Sequence, residues 1–222
     1  MNIERLVTID DCFRELEVVE ACKGVLQGPF HEYDVYDHQD RSFQVILDMT
    51  PDPHLTVAAR LHDIGKLETQ EPLMKEDGII WYREDDPELP YYRFPGHEFY
   101  GKELVLGLDP NIFAQFALNQ FSVANLVAHH YLPMKHIKAM REQVSFEGFK
   151  WEFYSLIDAL ERAPVTKDEI MTLFYADMVA HGDKCTDQVE LFAIRALIIG
   201  EPGLGKEAIY REQQEKYHSQ RD

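Results

Sequence analysis

The sequence predicts an all-α fold, a helical bundle with a small β-hairpin or a mobile flap at about residues 68–95. Two observations lead to this prediction. Apolar residues recur at helical spacing through most of the chain, in segments bounded by capping residues, glycine or proline. Residues 68–95 depart from that pattern, because they hold two short aromatic, β-prone runs on either side of an acidic turn.

Capping signals place the individual helices. Asp109 precedes Pro110, and proline fits the first turn of a helix. Residues 166–169 have the sequence of a capping box, in which the first and last side chains bond each other's main-chain amides. We expect helices over residues 10–23 (capped by residue 10 or 11), 35–49, 54–63, 96–106, 110 onward, 123–130, 134–143, 148–162, 167–181, 186–199 and 206–219.

Length and charge bound the class of protein. A chain of 222 residues with 45% hydrophobic residues can bury a sizeable core. We expect one domain over residues 1–222, with its core at about 30–185 and C-terminal helices over 186–219. The 40 Asp and Glu residues exceed the 22 Lys and Arg residues, giving a net charge of −18. That charge disfavours binding to an extended nucleic acid, whereas bound cations still allow a small phosphorylated substrate.

The cysteines and the N-terminus indicate the compartment. The sequence has three cysteines and no Cys-x-x-Cys pair, and the odd number argues against a disulfide framework. Residues 1–4 begin no secretory signal, and no apolar run reaches membrane-spanning length. The sequence therefore predicts a reduced, cytoplasmic protein without a membrane partner, and it leaves the oligomeric state open.

His62 and Asp63 are adjacent in the segment LHDIGK, residues 61–66, directly after an apolar run. Side chains of adjacent helical residues point about 100° apart, so the pair contributes little to an amphipathic surface. Two adjacent ligands at a helix end can still converge on one ion, since neutral imidazole suits transition metals and a carboxylate can bridge two ions. Asp177 adds to this interpretation, because a carboxylate in so apolar a stretch needs a partner or a metal.

Further histidines complete an ordered set of candidate ligands. In chain order the set is His38, His62, Asp63, His97, His129, His130 and Asp177. This order resembles the HD-domain superfamily of metal-dependent phosphohydrolases, in which a His is followed by a His-Asp pair, one or two further His and an Asp. The strings LHDIGK, GHE and DMVAHG are most similar to the HD domain attached to some bacterial tRNA nucleotidyltransferases. The resemblance covers about residues 30–185 and implies an HD-domain helical bundle.

The resemblance implies one or two divalent metal ions, with Mn, Fe, Co, Ni, Mg and Zn all open. The first ion would have four ligands, His38, His62, Asp63 and Asp177, of which the Asp of the pair can also bridge to a second ion. The second ion would use His97 and the neighbours His129 and His130. Of these neighbours only one is expected to bind tightly, because successive helical residues face different ways. The other would contact a supporting carboxylate or the substrate phosphate, and without a second ion His97 and His129 would bind phosphate directly.

Lys66 and Arg41 are the candidate substrate-binding residues. Lys66 occupies the Lys position of the His-Asp-x-x-Lys string, where an ammonium would bind a substrate oxygen or stabilise developing negative charge. The alternative for this residue is a lysine that interacts with a helix C-terminus. Arg41, one turn after His38, is a weaker phosphate-binding candidate. His181, four residues after Asp177 on the same helical face, could support that carboxylate.

The sequence thus predicts a metal-dependent phosphohydrolase in which Asp63 and Lys66 are catalytic. The resemblance implies a small phosphorylated substrate, a nucleotide or related phosphate ester, cleaved as a phosphomonoester or a 2′,3′-cyclic phosphodiester. No Ser or Cys nucleophile with an assigned His is visible. Two alternatives stay open: an HD-fold diiron oxygenase, which uses the same ligand order to activate oxygen, and a non-catalytic nucleotide-sensing module.

Overall fold

The computed structural model describes residues 2–143 and 145–182. The predicted C-terminal helices over 186–219, and with them Cys185, lie outside the described residues. The elements in chain order are α1 (Ile3–Arg14), α2 (Glu17–Glu20), α3 (Val35–Met49), α4 (Pro53–Leu61), α5 (Lys66–Thr69), β1 (Glu71–Pro72), β2 (Tyr92–Arg93), α6 (His97–Gly107), α7 (Pro110–Ala114), α8 (Gln120–His129), α9 (Leu132–Glu142), α10 (Phe146–Glu161) and α11 (Lys167–Ala180).

The all-α prediction is confirmed, and the helix limits follow the capping signals closely. α3 has the predicted bounds, and the capping box of α11 is formed, with Thr166 and Glu169 each bonding the other's main-chain amide. The single helix predicted over residues 10–23 is wrong, because the structure has α1 and the separate short α2 in that region. Asn2 caps α1, accepting a hydrogen bond from the Arg5 amide at 3.1 Å, whereas Asp10 lies inside the helix. The carboxylate of Asp10 has a different partner, described below.

A small antiparallel sheet is present within residues 68–95, but its first strand precedes the first aromatic run, residues 79–82, which forms only isolated bridges. β1 and β2 pair with Glu71 opposite Arg93, and isolated bridges join Met74 to Ile80 further out. A short arm of this kind is marginal by itself and needs a packing partner. The base of the hairpin finds one in the loop before α3, where the carbonyl oxygen of Tyr92 would lie 3.1 Å from a Cβ placed on Gly28.

Two apolar clusters form the core, and α11 contributes to both. The first cluster contains α1, α3, α4, α6 and α8, together with Leu173 and Ala176 of α11. It includes Ile9 of α1, so the apolar packing extends to the N-terminal helix. The second cluster joins α9 and α10 to Ile170 and Phe174 of α11. A helix that is apolar nearly all round has to be buried, and α11 therefore passes between the two clusters.

The turn after α4 packs directly on α6 because Gly65 has no side chain. A Cβ at Gly65 would collide with the carbonyl oxygen of His97 and would lie 2.5 Å from the amide nitrogen of Gly101. Gly101 makes a similar approach to α8, since a Cβ there would lie 2.9 Å from Cγ1 of Val127. The atoms that a Cβ at Gly65 would meet belong to the backbone, so a side chain at that position would require the backbone to move. The two glycines thus hold the His-Asp turn against the start of α6.

A buried ion pair ties α1 and α3 to α4. Arg60, two residues before the His-Asp pair, is fully buried. Its Nε and Nη2 lie 2.7 and 2.8 Å from the two carboxylate oxygens of Asp10, and Nη2 also lies 2.9 Å from Asp40. Burial raises the pKa of Asp10, while Arg60 opposes that rise. The carboxylates of α1 and α3 thus converge on the one guanidinium of Arg60. Asp40 also pairs with Arg14.

Helix length and the state of two cysteines bear on the predicted membrane and redox properties. Across residues 2–143 and 145–182, no helix combines the length and apolar character that a membrane crossing requires. Cys12 and Cys22 carry free thiols. Burial raises the pKa of Cys22 to about 12, so this thiol stays protonated and packs as an apolar side chain.

We expect Asp10→Ala to lower the free energy of unfolding by about 3–5 kcal/mol, because it leaves a buried guanidinium without its two-point partner. Urea denaturation followed by far-ultraviolet circular dichroism measures the change. Asp85→Ala is the matched control. It removes the exposed partner of Arg83 and should leave the free energy of unfolding nearly unchanged, because solvent screens an exposed ion pair. Equal losses in the two variants would contradict a structural role for the buried pair.

Candidate metal centre

Three elements bring four candidate ligands together in the interior. α3 supplies His38, the turn after α4 supplies His62 and Asp63, and α11 supplies Asp177; all four are buried. His38 Nε2 lies 2.8 Å from Asp177 Oδ1, 3.3 Å from His62 Nε2 and 3.6 Å from Asp63 Oδ2. His62 Nε2 lies 3.3 Å from Asp63 Oδ2 and 3.5 Å from Asp177 Oδ1.

These separations fit the ligand shell of one divalent ion. Bonds of about 2.1 Å to nitrogen and oxygen place neighbouring ligand atoms roughly 3.0 Å apart at right angles and 3.4 Å apart in a tetrahedron. The observed separations of 2.8–3.6 Å lie around both values. The four side chains are therefore arranged to hold a cation after only small shifts.

Three of the histidines share a hydrogen-bond pattern that fixes their tautomer. In each, Nδ1 lies close to the main-chain carbonyl oxygen three residues earlier. The distances are 2.9 Å from His62 to Ala59, 2.8 Å from His97 to Phe94 and 2.6 Å from His130 to Val127. Because a carbonyl only accepts, Nδ1 carries a proton, and Nε2 is the nitrogen left to bind a metal ion or a second proton. This is the tautomer that binds a metal ion through Nε2.

Asp63 connects the first group of ligands to a second. Its Oδ1 lies 3.4 Å from His97 Nε2 and 3.9 Å from His130 Nε2, and those two nitrogens are 3.2 Å apart. Its Oδ2 faces His38 and His62. One carboxylate oxygen thus belongs to each group of imidazoles, which is the arrangement of a bridging ligand between two ions.

The protonation states in this cluster depend on one another. Burial lowers the pKa of His38 to about 4 and that of His130 to about 3. Burial acts in the same direction on His62, but the carboxylates of Asp63 and Asp177 outweigh it and raise its pKa to about 10. Burial would raise the pKa of both carboxyls, and the surrounding histidines instead hold each pKa well below its usual range. The interior therefore holds two ionised carboxylates, and these favour a cation.

Lys66 is buried beside the bridging carboxylate rather than exposed at a helix C-terminus. Its Nζ lies 2.6 Å from Asp63 Oδ2 and 2.5 Å from Gln27 Oε1, and 5.3 Å from the ring centroid of Phe94. The amide of Gln27 is oriented by its Nε2, which donates to the carbonyl of Tyr33 at 3.1 Å. The Lys66 ammonium is thus held in one place by two acceptors.

Two predicted site residues lie outside this cluster. His129 is half-buried, and its Nδ1 lies 2.8 Å from the carbonyl oxygen of Asn125 in its own helix. At the end of α8 adjacent side chains diverge, and it is His130 that faces the ligands. Arg41 is exposed, with its guanidinium carbon 3.7 Å from the ring centroid of Tyr33. The structure therefore supports neither His129 as a ligand nor Arg41 as a phosphate contact.

Two other histidines extend the first group. His31, in the loop before α3, packs its ring 5.2 Å from that of His38 and 4.0 Å from that of His181. His181 Nε2 lies 3.6 Å from Asp177 Oδ1, which agrees with the supporting role that its spacing indicates. His31 was missed because a single histidine in a loop belongs to no periodic pattern. The imidazoles of His31, His38 and His181 form a further group that could hold a cation.

The cluster opens into a cavity of about 440 Å³, a size that suits a small organic ligand. Metal-ligand candidates line its inner end, and residues 28–31, residues 92–94 of the hairpin and one face of α9 form its walls. Another cavity, of about 470 Å³, lies between α8, α10 and the start of α11 and contains none of the candidate ligands. The first cavity is therefore the candidate substrate site.

The chain has no match among known proteins: no protein-family model, curated protein or solved structure matches it. The functional interpretation therefore depends on the residues themselves. The buried His and Asp side chains form groups that can hold a metal ion.

At saturating Mn²⁺ we expect His130→Ala to lower the bound metal from two ions towards one per chain, because it removes a ligand of the second group. His129→Ala is the matched control. The imidazole of His129 points away from the ligand group, so its loss should leave the metal content unchanged. Equilibrium dialysis with elemental analysis measures both. Equal losses in the two variants, or a wild-type content of one ion, would rule out the second group as a metal site.

Proposed function

We propose that the protein is a metal-dependent phosphohydrolase of the HD-domain superfamily that acts on a nucleotide or a related phosphate ester. The bridging position of Asp63 between two groups of imidazoles, at the inner end of a cavity, carries this proposal. When bound, divalent ions polarise phosphoryl oxygens and lower the pKa of water towards neutrality. The chain's own residues then have to hold the ligands, admit the ester and balance charge.

The donor set favours transition-metal ions. Its members are imidazole nitrogens and carboxylate oxygens, and the former suit Mn, Fe, Co, Ni and Zn better than Mg, which prefers oxygen donors. The first group combines two imidazoles with two carboxylates, and the second combines two imidazoles with one shared carboxylate. We propose one or two such ions per chain.

Lys66 is the proposed contact for the phosphoryl group. Its ammonium lines the cavity, next to the carboxylate that joins the two ligand groups. A fixed positive charge at that place binds a phosphoryl oxygen and stabilises the negative charge that develops as the ester is cleaved. The same charge favours an anionic substrate, and hence hydrolysis of a phosphoester over oxygenation of a neutral compound.

The protein should hydrolyse p-nitrophenyl phosphate or its bis ester when Mn²⁺, Co²⁺ or Ni²⁺ is added, and chelation should abolish turnover. Asp63→Ala should lose bound metal and reduce kcat by at least about a hundredfold, because both ligand groups lose their shared carboxylate. Its helical circular dichroism should persist. Asp158→Ala, which removes an exposed carboxylate paired with Arg162, is the control and should keep full activity.

The alternative chemistry has a distinct signature in the same experiment. If no phosphoester is cleaved with any of these metals, while the iron-loaded protein consumes oxygen with a candidate substrate, the hydrolase proposal fails and an oxygenase takes its place. Binding of a nucleotide without either reaction would favour a sensing module.

Lys66→Met should retain the metal content of the wild type while kcat falls by about a hundredfold or more, because the change removes the ammonium and keeps much of the alkyl stem. Elemental analysis and steady-state kinetics on the same preparation separate the two effects. Loss of metal in proportion to activity would show instead that Lys66 acts by supporting Asp63.

A further inference from the structure

The cavity beside the metal centre has a charge pattern that the rest of the chain does not share. Acidic residues outnumber basic ones by 40 to 22 in the sequence. Among the described residues that line the cavity, the acidic ones are Asp63 and Asp177, which are both candidate metal ligands. The basic ones are Lys66, Arg93, Lys138 and Arg141. Cations concentrated in one cleft of an acidic protein attract and orient an anion.

The cations near the hairpin and the ligands have acidic partners. Lys66 lies against Asp63, and Arg93 Nε lies 2.7 Å from a carboxylate oxygen of Glu71. Lys138 differs within residues 2–143 and 145–182, where its Nζ donates to the phenolic oxygen of Tyr131 at 2.9 Å and pairs with no carboxylate. An ammonium has three donors, and a neutral phenol does not offset its charge. Lys138 therefore retains both charge and donors for an anion in the cavity.

Lys138 and Arg141 lie on the cavity side of α9, at the end away from the metal centre. Met134, Lys138 and Arg141 are spaced by four and three residues, which puts them on one helical face. At about 1.5 Å per residue, Arg141 lies about 10 Å further along the helix than Met134. His130, the ligand nearest in sequence, precedes α9. The two cations thus mark the outer end of the cavity.

The wall between the two ends is largely aromatic. The ring of Tyr131 packs edge-on against His97, with centroids 5.6 Å apart, and its hydroxyl receives the hydrogen bond from Lys138. One side chain therefore runs from the ligand cluster to the outer cations. Phe30, which is 67% exposed, and Phe94 line other parts of the cavity. Such a wall suits a flat group such as a nucleobase.

We propose that the outer end of this cavity is a second phosphate-binding subsite, formed by Lys138 and Arg141. The substrate is then a nucleoside that carries phosphates at two separate positions. One phosphate reaches the metal centre, the nucleoside lies along Tyr131, and the second phosphate binds the two cations, for which the planar guanidinium of arginine is well matched. This inference rests on the proposed function for the inner phosphate and adds the outer one.

Isothermal titration calorimetry on Mn²⁺-loaded protein tests the subsite with two probes that resist hydrolysis, the methylenephosphonate analogues of adenosine 5′-monophosphate and of adenosine 3′,5′-bisphosphate, called the monophosphate and the bisphosphate below. The wild type should bind the bisphosphate at least about tenfold more tightly, as expected for added charge-assisted hydrogen bonds. In the variant that combines Lys138→Ala and Arg141→Ala, this difference should vanish while affinity for the monophosphate stays within about twofold. Both residues are exposed, so the variant should keep the circular dichroism and metal content of the wild type.

A charge-matched control combines Lys23→Ala and Arg162→Ala, two exposed cations paired with Glu20 and Asp158 and placed outside the cavity. It should keep the preference for the bisphosphate. Equal binding of the two probes by the wild type, or an equal loss for both probes in the Lys138 and Arg141 variant, would overturn the proposal. Because binding is measured without turnover, this result is independent of the hydrolysis assay that tests the proposed function.

Discussion

The carboxylate of Asp63 is the group on which the arrangement of this protein depends. It is ionised in the interior, and a buried charge is tolerated only where opposite charge and hydrogen bonds surround it. Imidazoles approach each of its oxygens, and the Lys66 ammonium lies 2.6 Å from one of them. Helices α3, α6, α8 and α11 and the turn after α4 must therefore all meet at one point. The packing of the bundle holds these elements around the Asp63 carboxylate.

The supporting contacts act on the backbone more than on the ligands. Gly65 and Gly101 have no side chains where the His-Asp turn meets α6, so the two backbones can pack in direct contact. This contact sets the distance between His97 and Asp63. Arg60 anchors the preceding helix to α1 and α3 through charge. Main-chain carbonyls then set the ring orientation of the histidines themselves. The position and the tautomer of a ligand thus have separate physical origins.

The sequence predicts much of this, and the limits of prediction have identifiable causes. The helix limits follow from caps and from apolar spacing, both of which are local, and α3 was predicted with the bounds that the structure has. Helical spacing shows that two adjacent histidines diverge, but which one faces inward depends on how α8 rotates against its neighbours. Only the packed structure selects His130.

Interactions between distant segments lie further beyond sequence reasoning. Asp10 has the residue type of a helix cap, yet its partner is Arg60, fifty residues away. His31 and Arg141 reach the cavity from a loop and from the far end of α9, and neither is near a recognised motif. Arg41 is a candidate only because it is close to His38 in sequence, whereas the fold places its guanidinium against the ring of Tyr33.

The division of the core into two clusters separates most of the candidate metal ligands from one wall of the cavity, the helix α9. The candidate ligands of α3, α6 and α8 and of the turn after α4 belong to the first cluster, whereas α9, with its cations, packs with α10 in the second. α11 is the element common to both. A displacement of α9 and α10 relative to the first cluster would therefore change the width of the cavity. Entry of a bound molecule would then depend mainly on the packing of the second cluster, whereas retention of a cation would depend mainly on the packing of the first.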